Sequence, residues 1–287
     1  MPPLETRLAV DLTGGLIRVV DGTMGGPMRC GSGGTPAGSL VDGKVLDAVA
    51  VGSALRQLLA RTEIESTQGL IAASDAVATF RVLKLPAGSS DQDVDAAVSR
   101  ELPLDPERMA TRWLDVSSPE PHRLIYAVAW DRALVKSITD AARFAGVDPI
   151  AVDLKSACIA RAVASPACVV LDLDSNPAEI VLIDGHVPQV WHSFRLEAAA
   201  GDDVGAALPG PMRTVLRFYE RRRDTQFEPA APIFVAGEQM LSLRATNALS
   251  EQLAHPVLAL PIPARVPPEV RYTNYLACLG LLMRRTA

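Results

Sequence analysis

Apolar and polar positions alternate in short blocks along the chain, and each block predicts a strand or an amphipathic helix. The first block, residues 7–20, has two β-rich runs on either side of Thr13-Gly14-Gly15 and predicts a hairpin. We predict further strands near residues 70–73, 77–85, 111–117, 123–130, 147–154, 169–174, 179–185, 188–195, 233–237 and 257–260. We predict helices near residues 47–61, 90–101, 131–145, 155–164, 212–225, 241–254 and 273–284. Residues 21–39 are rich in Gly, Pro and Ser and predict a mobile loop.

Each half of the chain opens with a strand that carries an aspartate and leads into a turn. Asp11 ends the first strand of the first half, and Asp172 lies in the first strand of the second half. This weak internal duplication predicts two lobes that face a shared cleft.

An aspartate followed by a glycine turn has two interpretations. Turn amides can point at a phosphate group, and the carboxylate can hold a hydrated Mg²⁺ ion beside it. The same pattern is more often only a turn. The duplication and the strand that ends in Ala236-Gly237 favour a nucleotide cleft. The phosphate-binding turn and the plain turn therefore both stay open as interpretations.

Composition narrows the class of protein. The net charge of −5 and the pI of about 5.5 leave no global basic field for nucleic acid. The four cysteines form no Cys-x-x-Cys pair, which fits a reducing compartment. The start of the chain lacks a signal-peptide core, and no apolar run is long enough to span a membrane. The four histidines have no ligand spacing, so a catalytic or metal-binding histidine is not expected.

Several segments follow one another in an order that is typical of one protein family. Asp11 to Val20 has the form of a phosphate hairpin, and Val41 to Asp47 has the form of the turn that follows it. Phe80 to Pro86 opens a strand-helix-strand-strand block, Val215 to Tyr219 lies before a buried strand, and Tyr275 to Leu281 forms a closing helix. In this order they resemble the PilM family of type IV pilus assembly proteins, which are relatives of the division protein FtsA.

The resemblance implies an α/β fold of the actin-like, ribonuclease H-like type with two lobes. Lobe one (subdomain 1A) would comprise residues 1–75 and 151–166, and an inserted strand-helix-strand-strand 1C subdomain would comprise residues 76–150. Residues 167–287 would form lobe two, in which subdomain 2A carries a reduced 2B.

The resemblance also implies a nucleotide site. Its residues would be Asp11, Thr13, Gly14, Gly15, Asp172, Ala236 and Gly237, with Asp11 next to the Mg²⁺ ion of a bound ATP. In the second hairpin, however, Asp174 replaces a glycine and Pro177 removes an amide donor. Glu238 follows Gly237 where the family has a second glycine, and the 2B helix that meets adenosine has no counterpart before Met212. We therefore expect ATP and Mg²⁺ to bind weakly or not at all, and we expect a scaffold more than an enzyme.

The resemblance further implies a partner. PilM-like proteins hold the N-terminal cytoplasmic peptide of a bitopic inner-membrane protein, PilN, in a groove between subdomains 1A and 1C. By resemblance the groove would be lined by Phe80, Val82 and Leu83. The protein would then be cytoplasmic and peripheral to the inner membrane, would reach the membrane only through its partner, and would not bind nucleic acid; self-association stays open.

Three alternatives remain from the sequence. The chain could be a working ATP-binding protein or slow ATPase of the same machinery, with Asp11, Thr13, Gly14 and Asp172 around Mg²⁺ and phosphate. A phosphotransferase of the sugar-kinase branch would need a catalytic aspartate in a substrate loop, and no segment supplies one. The cytoplasmic domain of a type II secretion protein would be expected to precede a membrane span, which this sequence lacks.

Overall fold

A computed structural model of the chain describes residues 7–102, 105–116, 122–173, 177–196, 204–238, 241, 243–263 and 265–284. Its strands are β1 (Arg7–Asp11), β2 (Leu16–Gly22), β3 (Met28–Gly34), β4 (Leu40–Val41), β5 (Lys44–Val45), β6 (Gln68–Ala73), β7 (Ala78–Pro86), β8 (Met109–Asp115), β9 (His122–Asp131), β10 (Asp148–Leu154), β11 (Ala167–Asp172), β12 (Ala178–Asp184), β13 (Val187–Phe194), β14 (Ile233–Ala236) and β15 (Val257–Leu258). Its helices are α1 (Ala48–Arg61), α2 (Asp91–Glu101), α3 (Arg132–Phe144), α4 (Lys155–Val163), α5 (Val204–Ala207), α6 (Pro209–Arg223), α7 (Leu243–Leu253) and α8 (Leu276–Leu282). Single 3₁₀ turns lie at Asp75–Val77 and Tyr272–Asn274.

Two five-stranded sheets repeat the same topology. The order is β3-β2-β1-β6-β10 in lobe one and β13-β12-β11-β14-β15 in lobe two. In each sheet the opening strand pairs antiparallel with its hairpin partner and parallel with a later strand. Asp11 stands opposite Ala72 of β6, and Asp172 stands opposite Ala236 of β14. The duplication predicted from the two aspartates is therefore confirmed at the level of strand register.

Both opening strands are buried on both faces, which explains their unbroken apolar runs. In β1, Leu8 and Val10 pack against α1 and α3, whereas Ala9 faces the opposite side of the sheet. In β11, Leu171 packs against α6 and α7, whereas Val170 faces the same core as Ala9. One hydrophobic core is thus shared by the inner faces of both sheets.

Helices α4 and α8 lie in this shared core and contact each other directly. Gly280 of α8 lies on the backbone of Cys158 in α4, because a Cβ atom at this position would be 1.9 Å from the Cys158 carbonyl oxygen. Tyr272 is buried just before α8 and donates a hydrogen bond from its hydroxyl to the Ala162 carbonyl oxygen. The close approach of α4 and α8 fixes how the two lobes meet.

The insert between β6 and α3 has the predicted order of strand, helix, strand and strand. Its sheet order is β7-β9-β8, and α2 covers one face. Ser90 caps α2 through the predicted capping box with Asp93. The opposite face carries Phe80 and Tyr126, which pack towards Leu154, Val187 and Trp191 of the two lobes.

One prediction from the sequence is wrong. Residues 21–39 are not a loop throughout, because Met28–Gly34 form β3 at the edge of the lobe-one sheet. In the stretch assigned to the insert, α3 packs on α1 of lobe one, and β10 pairs with β6. The predicted reduction of subdomain 2B concerns the segment between Leu196 and Met212; its residues 197–203 lie outside the described residues, and Val204–Ala207 form α5.

Two further observations on the described part of the chain concern membrane-spanning helices and cysteines. None of its helices combines the length and the apolar character needed to cross a membrane. Cys30, Cys158, Cys168 and Cys278 all carry free thiols, as their scattered positions in the sequence predict.

Candidate functional site

The first hairpin holds its aspartate in a self-contained turn. Asp11 Oδ1 accepts hydrogen bonds from the Thr13 backbone N–H at 3.0 Å and from Thr13 Oγ1 at 2.5 Å. The tip of the turn is fixed by Thr35, whose hydroxyl donates to the Gly14 carbonyl oxygen at 2.9 Å and whose N–H donates to the Gly15 carbonyl oxygen at 3.0 Å. The Thr13 amide therefore points at the Asp11 carboxylate and is not available to a phosphate.

The second aspartate is paired with a lysine that the sequence analysis did not single out. Lys155 Nζ lies 2.7 Å from Asp172 Oδ2 and 2.7 Å from Glu179 Oε2. The three side chains are 8%, 9% and 10% exposed, so the cluster is almost fully withdrawn from water. Lys155 is the first residue of α4, whereas Asp172 and Glu179 stand opposite each other on β11 and β12. One ammonium group thus joins the helix that follows the lobe-one sheet to two strands of lobe two.

The charges in this cluster depend on one another. Burial alone would lower the pKa of Lys155, but the carboxylates of Asp172, Glu179 and Asp11 raise it well above its ordinary value. Burial raises the pKa of Glu179, and the Lys155 ammonium opposes that rise. Lys155 therefore stays protonated at neutral pH, and its positive charge offsets part of the negative charge of the cluster.

The start of α4 is capped from lobe one. The N-cap Leu154 has no capping side chain, and the carboxylate of Asp75 takes that role. Asp75 accepts hydrogen bonds from the Ser156 N–H at 2.9 Å and from the Ser156 hydroxyl. Burial raises the pKa of Asp75 to about 7, against the opposing effect of the Ser156 hydrogen bonds. The position of Lys155 is therefore set by a buried capping residue.

Two further ion pairs cross between the lobes. Arg18 of β2 is 3% exposed, and its guanidinium lies 3.5 Å from Glu238 Oε1, just after β14. Asp42 of the β4–β5 turn lies 3.9 Å from Arg195, and both side chains are exposed. The Asp42–Arg195 pair adds little to stability because both of its side chains are exposed, whereas in the Arg18–Glu238 pair the arginine is buried and the glutamate is 47% exposed.

A cavity of about 120 Å³ remains between the lobes at this point. Thr13, Gly14, Gly15 and Lys155 line it from lobe one, and Glu179 and Trp191 line it from lobe two. Ala236 and Gly237 do not line this cavity: Ala236 is buried in the shared core, and the Gly237 N–H donates to the Thr273 carbonyl oxygen at 3.1 Å. Asp174 of the second hairpin lies outside the described residues.

These residues do not fit the Mg²⁺–ATP complex that the actin-like fold implies. The cavity is smaller than the roughly 300–1,000 Å³ of typical ligand sites. The Lys155 ammonium lies where a cation between Asp172 and Glu179 would have to be. Among the described residues, no group of three or more His, Cys, Asp or Glu side chains is arranged to hold a metal ion. We therefore derive no nucleotide chemistry from this cleft.

A larger groove, of about 540 Å³, lies between the insert and lobe one. Its apolar part comes from residues 76–78, Met109 and Leu134, and an ion pair between Arg108 and Asp131 at 2.6 Å borders it. Thr79, Lys44 and Asp105 complete its lining.

The residues predicted for a partner groove lie elsewhere on the insert. Phe80 and Val82 belong to the core that faces lobe two, whereas Leu83 belongs to the core beneath α2. The structure therefore does not bring Phe80, Val82 and Leu83 together, because alternate residues of a strand face opposite sides of the sheet.

The sequence did carry a signal for the missed cluster. Lys155 interrupts the apolar segment that leads from β10 into α4, and Glu179 opens the apolar run of β12. A charged residue inside a buried apolar run requires a buried partner of opposite charge. That rule identifies both residues as members of a cluster, although it does not say which residues pair.

Comparisons with known proteins were made on sequence and on structure. No family model and no curated protein matches the sequence. Among solved structures, the PilM-PilN type IV pilus biogenesis complex matches with 18% identity and a TM-score of 0.73, over 98% of each chain. The cytoplasmic domain of EpsL, an inner membrane component of the type II secretion system of Vibrio cholerae, matches with 12% identity and a TM-score of 0.57, over 98% of this chain and 97% of that one. A Bacteroides thetaiotaomicron protein with an actin-like ATPase fold and unknown function matches with 8% identity and a TM-score of 0.54, over 98% and 97%.

At these identities the comparisons establish the architecture and not a shared activity. They confirm the actin-like fold class that the resemblance implied. The chain has the actin-like fold, in the form that it shares over nearly its whole length with the PilM-PilN complex.

Proposed function

We propose that this protein is an actin-like scaffold of a type IV pilus or related secretion or competence machinery, and that it binds the cytoplasmic tail of an inner-membrane partner. The observation that carries the proposal is the full-length likeness to the PilM-PilN complex, which includes the inserted β7-α2-β8-β9 unit. The likeness to the EpsL cytoplasmic domain supports the same class of machinery. The protein would then lie in the cytoplasm at the inner membrane.

The groove between the insert and lobe one is the surface that suits such a tail. Its volume of about 540 Å³ accommodates several side chains of a short peptide, and half of its lining residues are apolar. Lys44 lines it as well and can pair with an acidic group of the peptide. Because Asp131 also caps α3 of lobe one, the groove border is held rigidly by both units.

The cleft between the lobes supports a scaffold in preference to an ATPase. A scaffold of this fold needs no ligand for its core, and here Lys155 pairs with Asp172 and Glu179 within the chain and only a small cavity is left beside them. We therefore expect partner binding that does not depend on nucleotide.

A peptide-binding measurement tests the proposal. The probe is a fluorescent peptide of the N-terminal cytoplasmic tail of the PilN-like protein encoded in the same genome, titrated with the intact protein. We expect saturable binding that Thr79→Arg, which fills the groove, weakens at least about tenfold, or 1.4 kcal/mol. Thr225→Arg makes the same chemical change on the exposed surface of lobe two and should leave the affinity unchanged. Equal binding by the two variants would place the peptide elsewhere, and no binding at all would contradict the proposed partner.

Calorimetric titration with Mg²⁺–ATP separates the scaffold from the ATP-binding alternative. We expect no binding in the micromolar range for the wild-type protein. Micromolar binding that disappears in Asp11→Ala would overturn the scaffold-only proposal, because Asp11 is the residue that would accompany the Mg²⁺ ion.

A further inference from the structure

We propose that Lys155 is a built-in cation of the inter-lobe cleft. Its ammonium group takes the place that a metal ion would have between the acidic side chains of lobe two, so the cleft is filled and the lobes are joined without a divalent cation or a nucleotide. The observations are the two 2.7 Å ion pairs to Asp172 and Glu179 and the burial of all three side chains.

The first position of a helix is electrostatically unfavourable for a lysine. The first turn of a helix carries partial positive charge, which disfavours a cation, and Lys155 is the first residue of α4. A buried lysine also loses its hydration. Both costs are offset only because Asp172 and Glu179 meet the ammonium group. A residue that breaks a local rule and is compensated from another lobe is a sign of a selected role.

The chemistry of the site favours an ammonium ion over Mg²⁺. Mg²⁺ requires octahedral oxygen ligands near 2.1 Å and retains several water molecules. The cavity beside Lys155 measures about 120 Å³ and is walled by the Thr13-Gly14-Gly15 turn. The Thr13 amide, which could face a phosphate, is already bound to Asp11. An ammonium group needs no metal-type hydration shell here, because its nitrogen lies 2.7 Å from one oxygen of each of two carboxylates.

The cluster also determines how the lobes are held together. Lys155 follows β10, the lobe-one strand, and its partners belong to β11 and β12 of lobe two. The Arg18–Glu238 pair has the same polarity, since Arg18 comes from lobe one and Glu238 from lobe two. Opening the cleft would separate Lys155 from its carboxylates and leave buried charges unpaired. These ion pairs therefore favour the arrangement of the lobes that the structure shows.

This inference does not require the partner proposed above. Failure of the tail peptide to bind would leave the internal cation intact, and a failure of the tests below would leave the peptide groove intact. The two proposals concern different surfaces of the molecule and are measured by different probes.

The first test labels lysines in the unaltered protein. Lys84 is exposed, and Lys136 is 71% exposed, so both serve as internal references for an amine-acylating reagent followed by mass spectrometry. We expect Lys155 to be acylated on the order of a hundredfold more slowly than Lys136. Adding millimolar Mg²⁺–ATP should leave that ratio unchanged. A rise in Lys155 labelling of about tenfold or more with Mg²⁺–ATP would show that the ammonium group is displaced and would overturn the proposal.

The second test removes the cation. In Lys155→Met, two facing carboxylates remain, and carboxylates with retained water molecules are ligands for Mn²⁺ and Mg²⁺. We expect Lys155→Met to have a lower Tm, and we expect Mn²⁺ to raise that Tm by about 5 °C or more while leaving the wild-type Tm unchanged. Lys136→Met, in which the lost ion pair is on the surface, should behave as wild type. Asp172→Asn added to Lys155→Met should abolish the Mn²⁺ response.

The outcomes are distinct. A Mn²⁺ response confined to Lys155→Met and lost with Asp172→Asn supports the proposal, as does a variant that folds only when Mn²⁺ is present. A folded Lys155→Met without any Mn²⁺ response contradicts it, and so does an Asp172-dependent Mn²⁺ response of the wild-type protein. If Lys155→Met does not fold with or without Mn²⁺, the labelling ratio of the unaltered protein decides.

Discussion

Replacing Gly280 by alanine tests how tightly the two lobes are joined. A Cβ atom at residue 280 would lie 1.9 Å from the carbonyl oxygen of Cys158 and 2.5 Å from its carbonyl carbon. Ordinary contact begins near 3.4 Å, so α8 and α4 would have to move apart by about 1.5 Å. The obstructing atoms are backbone atoms, which cannot rotate away as a flexible side chain can.

The magnitude follows from two opposing terms. Overpacking a dense core costs about 1–3 kcal/mol, and a backbone clash belongs at the upper end of that range. Alanine in a helix offsets up to about 1 kcal/mol of this cost, since glycine is the weaker helix former. We expect Gly280→Ala to lower the free energy of unfolding by about 2 kcal/mol, which corresponds to a fall in Tm of about 5 °C for a chain of this size.

The assay is urea denaturation followed by circular dichroism, with Gly34→Ala as the control. Gly34 is exposed at the end of β3, and a Cβ atom there would meet nothing within 4 Å. Gly34→Ala should therefore be neutral or slightly stabilising. If Gly280→Ala were as stable as Gly34→Ala, the close packing of α4 on α8 would be refuted, and the shared core between the lobes with it.

Variants at three further positions, Asp75, Tyr272 and Asp131, test buried or capping interactions of the fold. Burial raises the pKa of Asp75 to about 7 from 3.8, so its contribution to stability is full below about pH 4 and is lost as the pH rises through 7. Asp75→Asn should remove up to about 1.4 kcal/mol per pH unit from the pH dependence of unfolding between pH 5 and 7, and equal slopes for both proteins would contradict this. Tyr272→Phe leaves the Ala162 carbonyl oxygen without its hydroxyl donor and should cost about 1–2 kcal/mol in thermal unfolding; an unchanged Tm would contradict the hydrogen bond. Asp131→Ala removes the cap of α3 and should cost about 1 kcal/mol, whereas Asp131→Asn should retain most of that stability because asparagine also caps helices.

The sequence predicts the outline of the fold because its strongest signals are local. The apolar runs around Asp11 and Asp172 predict two equivalent opening strands, and Ser90 with Asp93 predicts the start of α2 within one residue. These features depend on residues that are neighbours in the sequence, so they can be predicted without knowledge of tertiary contacts.

Strand β3 shows where such local interpretation fails. Its glycine-rich sequence is typical of a flexible loop. A Cβ atom at Gly31, however, would lie 2.4 Å from the Thr62 methyl group at the end of α1. Glycine is present there because a helix approaches the strand closely and not because the segment is loose. The information lies in the packing partner, which is distant in sequence.

The candidate site was predicted only in part for the same reason. The Asp11 turn follows from adjacent residues, whereas Lys155 acquires its partners only when β11 and β12 of lobe two fold against α4. Whether a buried aspartate meets a metal ion or an ammonium group is decided by that long-range contact, and a motif centred on the aspartate cannot distinguish the two.

The position of α8 has a consequence for the order in which the molecule can be built. This helix is the last described element to leave the ribosome, yet it packs on β1, β2 and β6, which are among the first. The thiol of Cys278 even reaches the carbonyl oxygen of Arg18. During synthesis, one side of the nascent lobe-one sheet must therefore remain exposed to water until α8 has been translated, and the sheet depends on protection from aggregation in the interval.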